Sequence, residues 1–135
     1  LDTEAVMVDV DGAEAILITK GIDSPAGVYV LPLTNSSDAV TLERVAEFDI
    51  GESISAADLS ADGRVIAVRT PTRVLLFDRP ATSSIAEALA GEPCEAASAP
   101  ERQGEAIALH PDGRGYTTLS ERESAIRNDF RLPES

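Results

Sequence analysis

The chain has 135 residues, 43% hydrophobic and 26% charged, enough for one modest core and too few for two ordinary domains. Acidic residues outnumber basic ones 24 to 11, and the resulting formal charge of −13 repels phosphate backbones, which excludes nucleic acid as a natural partner. No run of about 18 apolar residues occurs, so no helical membrane span is expected, and Leu1-Asp2-Thr3-Glu4 does not open a signal peptide; a soluble protein follows, with secretion or a periplasmic place left open.

The first predicted strand, within Glu4–Gly12, ends in the turn Val10-Asp11-Gly12. Asp-Gly between apolar runs is a strong hairpin signal, because both residues tolerate positive φ in a two-residue turn. A returning strand follows at Ala15–Lys20, rich in β-branched residues and apolar nearly throughout, as expected of a strand covered on both faces. Pro25-Ala26-Gly27 turns the chain into a third strand at Val28–Leu33, and a loosely alternating Thr41–Ile50 is a fourth.

The pattern then recurs. Ala61-Asp62-Gly63 and Pro111-Asp112-Gly113 place their glycines 51 and 50 residues further along in turn. In the second unit the strands are Ser55–Gly63, Val65–Thr70 and Arg73–Asp78. Ser84-Ile85-Ala86-Glu87 has capping-box spacing, with Ile85, Ala88 and Leu89 on one face before Gly91, so a short helix is predicted over Ser84–Ala90. A brief strand at Cys94–Ala97 completes the unit. The third unit has strands at Glu105–Gly113 and Gly115–Ser120 and a weaker one at Phe130–Pro133. A hydroxyl residue ends each second strand, at Thr19, Thr70 and Ser120.

A period near 50 marks a repeat architecture whose units cannot bury their own faces alone. The predicted fold is all-β: three four-stranded antiparallel blades of a β-propeller, over residues 1–51, 52–100 and 101–135, with one short helix in the second blade. The last blade lacks its outer strand. Three blades cannot close a ring that takes about 4–8, so a half-ring is expected to meet a second propeller half, whether a separate chain, a fragment or a second copy of itself.

Leu59-Ser60-Ala61-Asp62-Gly63-Arg64-Val65-Ile66-Ala67-Val68 resembles the Ser-x-Asp-Gly-x-x-Ile-Ala blade signature of TolB-like propellers. The three repeats together resemble six-bladed bacterial propellers of the phytase-like and esterase-like kind, and would form the C-terminal half of one. The resemblance covers the whole chain, but its motifs report blade geometry and not activity.

First strands line a propeller's central channel, so Glu4 and Glu105 are expected near the axis, with Asp2, Glu101 and Arg102 around the rim. Converging carboxylates suit Ca²⁺, which takes about 6–8 oxygen ligands. The phytase-like resemblance implies a calcium-assisted hydrolase of phosphoesters or esters, with Glu4 and Glu105 as metal ligands and Lys20 or Arg69 holding phosphate. Against this, no Asp-x-Asp-x-Asp loop is present, and the two glutamates equally suit a structural role, accepting backbone amides of the next blade. No catalytic constellation assembles: His110, the only histidine, is expected to face solvent beside its turn, and no Gly-x-Ser-x-Gly elbow exists. Cys94 cannot form an internal disulfide and reads as a small buried or half-buried residue. The residues thus favour a non-catalytic scaffold that binds a protein or small ligand.

Overall fold

The structure is a computed structural model and describes residues 2–132. It is all-β with one short helix. The strands are β1 (Thr3–Val8), β2 (Glu14–Thr19), β3 (Ala26–Pro32), β4 (Arg44–Phe48), β5 (Ala56–Leu59), β6 (Val65–Arg69), β7 (Val74–Asp78), β8 (Cys94–Ala96), β9 (Gly104–Leu109), β10 (Gly115–Ser120) and β11 (Asn128–Arg131), with helix α1 (Ile85–Leu89) between β7 and β8. They form three antiparallel sheets in simple sequential order, β1-β2-β3-β4, β5-β6-β7-β8 and β9-β10-β11. Each predicted strand is found with its ends moved by a few residues. The last begins two residues early, at Asn128, and its predicted end at Pro133 lies outside the described residues.

The recurring turn differs from the one expected. Only its glycine takes positive φ, at +69° in each of Gly12, Gly63 and Gly113, while the aspartate keeps ordinary geometry. The glycine N–H donates to the carbonyl three residues back, Asp9, Ser60 or His110, at 2.7, 2.8 and 2.9 Å. The aspartate carboxylate accepts the amide two residues on: Asp11 from Ala13 (2.9 Å), Asp62 from Arg64 (3.1 Å), Asp112 from Arg114 (3.0 Å). The loop is therefore four residues long, closed at Asp9 N–H to the Glu14 carbonyl (3.0 Å). The aspartate serves as a side-chain acceptor and only glycine is needed for its backbone. The hydroxyls that end the second strands also have a local task in two sheets: Thr19 Oγ1 accepts the Gly27 amide (2.8 Å) and Thr70 Oγ1 the Arg73 amide (2.8 Å), fixing the entry to the third strand.

The first strands adjoin one another, β1 against β5 and β5 against β9. Two apolar cores lie between successive sheets. Ala5, Met7, Ile16, Ile18, Val28 and Phe48 of the first sheet meet Ile66, Val68, Leu75 and Phe77 of the second, closed by Ile85, Ala88 and Leu89 of α1. Phe48 and Phe77 pack edge to face there, ring centres 6.0 Å apart. The second sheet turns its alternate residues, Ala67, Val74 and Leu76, toward Ile107, Leu109, Tyr116 and Phe130 of the third. The middle sheet is thus covered on both faces, which is why β6 is apolar at nearly every position.

Candidate functional site

The residues singled out from the sequence fall into two groups. At the end of the sheets where β1 begins, Lys20 Nζ donates to Glu4 Oε1 at 3.0 Å, and the backbone N–H of Lys20 donates to the Asp2 carbonyl at 2.9 Å. The hydrogen bond to Glu4 raises the Lys20 pKa above its ordinary value, helped by the charges of Glu4, Asp2 and Glu105 and opposed by desolvation. The sheets thus bring Asp2, Glu4 and Glu105 within electrostatic reach of one ammonium group, and Lys20 is held cationic. Glu105 is half-buried, and Asp2 and Arg102 are exposed.

Beside this group is a hollow of about 300 Å³ whose wall includes Asp2, Lys20, Tyr29 and Arg44. Both cations are already paired, Lys20 with Glu4 and Arg44 with Glu47 at 3.0 Å each, and Asp2 adds a carboxylate, so the wall has mixed charge and no spare cation. Arg44 and Tyr29 escape sequence reasoning, since β3 and β4 carry no motif and only the sheet register, which pairs Tyr29 with Arg44, sets them side by side.

Arg69 and Glu101 form the second group, inside the protein. Arg69 is fully buried and Glu101 is 5% exposed, with Nη2 to Oε2 at 2.9 Å. The other Glu101 oxygen accepts from Asn128 Nδ2 (2.7 Å) and from Thr118. The guanidinium packs flat on Gly104, where an added Cβ would fall 1.9 Å from Nη2. Arg69 thus ties the second sheet to the third, out of a ligand's reach. Its Nε and Nη1 are buried without partners among the described residues.

The pinning role expected of Glu4 and Glu105 belongs to other residues. Asp58 Oδ2 accepts the Leu109 amide at 2.7 Å, and Ser55, which stands where the other units hold glutamate, donates to the Gly104 carbonyl at 2.6 Å. Among the described residues no group of three or more His, Cys, Asp or Glu side chains is close enough to hold a metal ion.

Two further expectations are corrected. His110 is 11% exposed instead of facing solvent, its Nε2 is 3.0 Å from Thr117 Oγ1, and that hydroxyl also donates to Asp129. The chain of contacts runs histidine, threonine, carboxylate, with the hydroxyl proton directed to the acid. Cys94 is exposed at the start of a short edge strand.

No family model matches the chain, and no curated protein sequence does. The likeness to TolB-like and phytase-like propellers therefore rests on its motif residues alone. Among solved structures, hydrazine synthase of Kuenenia stuttgartiensis matches with a TM-score of 0.60 at 16% identity, over 94% of this chain and 34% of that one. The chain thus spans about a third of the structure it matches, and at that identity the likeness is one of fold.

Proposed function

We propose that the protein is a non-catalytic binding scaffold, three blades of a β-propeller whose ring is completed by further sheets. One observation carries this reading. Val6 and Val8 are 59% and 51% exposed on the outer face of the first sheet. Ala57 and Leu59, which align with them one repeat on, pack into the first intersheet core, and Ile107 and Leu109, two repeats on, pack in or against the second. The position is interior wherever a preceding sheet exists, so the first sheet presents a face shaped for one. Apolar faces of that kind mark interfaces. The hollow beside Lys20 and Arg44, walled by the β2–β3 turn, Tyr29 of β3 and Arg44 of β4, would then open away from the axis that the first strands line.

Light scattering coupled to size exclusion tests the reading. An assembled mass above 14.2 kDa that falls to the single-chain value in Val6→Lys/Val8→Glu supports it; a cooperatively unfolding monomer at high micromolar concentration overturns it.

A further inference from the structure

The two end faces of the chain are the two sides of a contact that already occurs inside it. Between the first and second sheets, Ala5, Met7 and Ile18 of the one pack against Ala57, Leu59 and Val68 of the other. The repeat puts Ala106, Ala108 and Leu119 of the third sheet at the places of Ala5, Met7 and Ile18. It likewise puts Val6, Val8 and Leu17 of the first sheet at the places of Ala57, Leu59 and Val68. Ala106, Ala108, Leu119, Val6 and Val8 are all exposed. Leu33 extends the first set. Its amide donates to the Ala13 carbonyl as the Arg79 amide donates to Arg64, so it stands where Arg79 reaches across to Asp9 of the preceding sheet, and it too is exposed. The third sheet thus ends in the kind of face that covers β5 and β6, and the first sheet begins with the kind of face it would cover.

We infer that a second copy of this chain supplies both covers: the outer face of each third sheet packs on the outer face of the other copy's first sheet, through two identical contacts related by a twofold axis. The inference rests on the scaffold reading and names its partner. Six sheets result, within the range of about 4–8 that closes a propeller ring, and a head-to-tail contact that closes leaves neither face open. A foreign chain would have to supply both faces, whereas a second copy carries them already. Charge favours this pairing over a contact of like faces. Residues 1–51 hold ten acidic and two basic residues, and 101–135 hold seven and five. A first sheet set on another first sheet brings net charges of −8 together, but on a third sheet it meets only −2. The ion pairs beside these faces are each closed within one sheet, Lys20 with Glu4, Arg44 with Glu47, Arg127 with Asp129 and Arg131 with Asp112. The contact therefore buries apolar side chains without stranding one of these charges.

The test is sedimentation velocity over a concentration series, on the wild type and on two variants with opposite faces spoiled. Wild type is expected at twice the single-chain mass of 14.2 kDa. Val6→Lys/Val8→Glu spoils the first-sheet face and Ala108→Glu/Leu119→Lys the third-sheet face, and each variant alone is expected at the single-chain mass. An equimolar mixture of the two is expected to form dimers again, because the first variant keeps a sound third sheet and the second a sound first sheet. One contact of the two then remains, so the mixed dimer should be about a hundredfold weaker than the wild type. Cooperative melting of each variant alone shows that it is folded, and the wild-type mass decides without them. A wild type that sediments as one chain, or as three or more, would overturn the inference, as would folded variants whose mixture stays monomeric. A third-sheet variant that remains dimeric would mean that like faces pair, which overturns the inference and leaves the scaffold reading standing.

Discussion

Arg69 stands where the other two repeats hold Ile18 and Leu119, and it is fully buried. A buried guanidinium is tolerated only because Glu101 faces it, and removing one partner leaves the other charge uncompensated. Arg69→Leu is therefore expected to cost about 3–5 kcal/mol in urea unfolding, and adding Glu101→Gln to recover much of that, because glutamine still accepts from Thr118 and Asn128. A simple additive loss in the double variant would contradict the pairing. Gly104→Ala tests the same contact from the other side, through its clash with the guanidinium. A second residue-scale case is Asp9, whose carboxyl is held below its ordinary 3.8 chiefly by the side-chain hydrogen bond from Arg79. A depressed acid contributes stability above its unfolded pKa, and that contribution is lost as pH falls below about 3.8 through the folded value. Asp9→Asn should accordingly lower stability by a constant amount from neutral pH down to about 3.8 and flatten the profile only below that value, where wild-type Asp9 takes up its proton, with the profile of the remaining carboxylates unchanged.

At the scale of elements, local chemistry was readable because it is local. The capping box of α1 is present in full: Ser84 Oγ accepts the Glu87 amide at 3.1 Å and Glu87 Oε2 accepts the Ser84 amide at 2.7 Å. The Ser84 backbone hydrogen bond leads the causes that hold the Glu87 pKa down. A five-residue helix has almost no intrinsic stability, so its cap and its buried face decide whether it forms. Ser84→Ala is expected to cost about 1 kcal/mol and Leu89→Ala about 2–5 kcal/mol by the same unfolding assay. Equal effects of the two would mean that α1 is not docked. The hairpins were readable for the same reason, since an Asp-Gly pair between apolar runs leaves few alternatives. The exact turn was not, because the aspartate's side-chain bond competes with the two-residue geometry and wins.

For the whole molecule, the exposed face of the first sheet and the carboxylates around Lys20 each carry a prediction. Glu4 already accepts from Lys20, and a bound ion would have to displace that partner. A ligand that binds only the folded state raises the melting temperature. We expect millimolar Ca²⁺ and chelator to leave melting unchanged in the wild type and in Glu4→Ala and Glu105→Ala. A calcium-dependent rise abolished in both variants would instead favour the hydrolase expectation. The exposed face is tested by the mass in solution and its response to Val6→Lys/Val8→Glu.

The sequence by itself determined the period, the hairpins, the helix and its cap, because each rests on residues within a few positions of one another. The apolar run of each second strand implied cover on both faces, which holds for β6 between two sheets but not for β2, where Leu17 pairs with the exposed Val6, nor for β10, where Leu119 is exposed. Only the tertiary structure decided which side chains meet. The phytase-like resemblance offers Arg69 as a phosphate-holding cation, and folding buries it on Gly104 beside Glu101, 32 residues along the chain. His110 reads as a turn residue and is enclosed by Thr117 and Asp129, while Arg44 and Tyr29 join Lys20 through a register that no motif records. Contacts between sheets depend on how faces stack, and stacking is a property of the assembled repeats that no single repeat encodes.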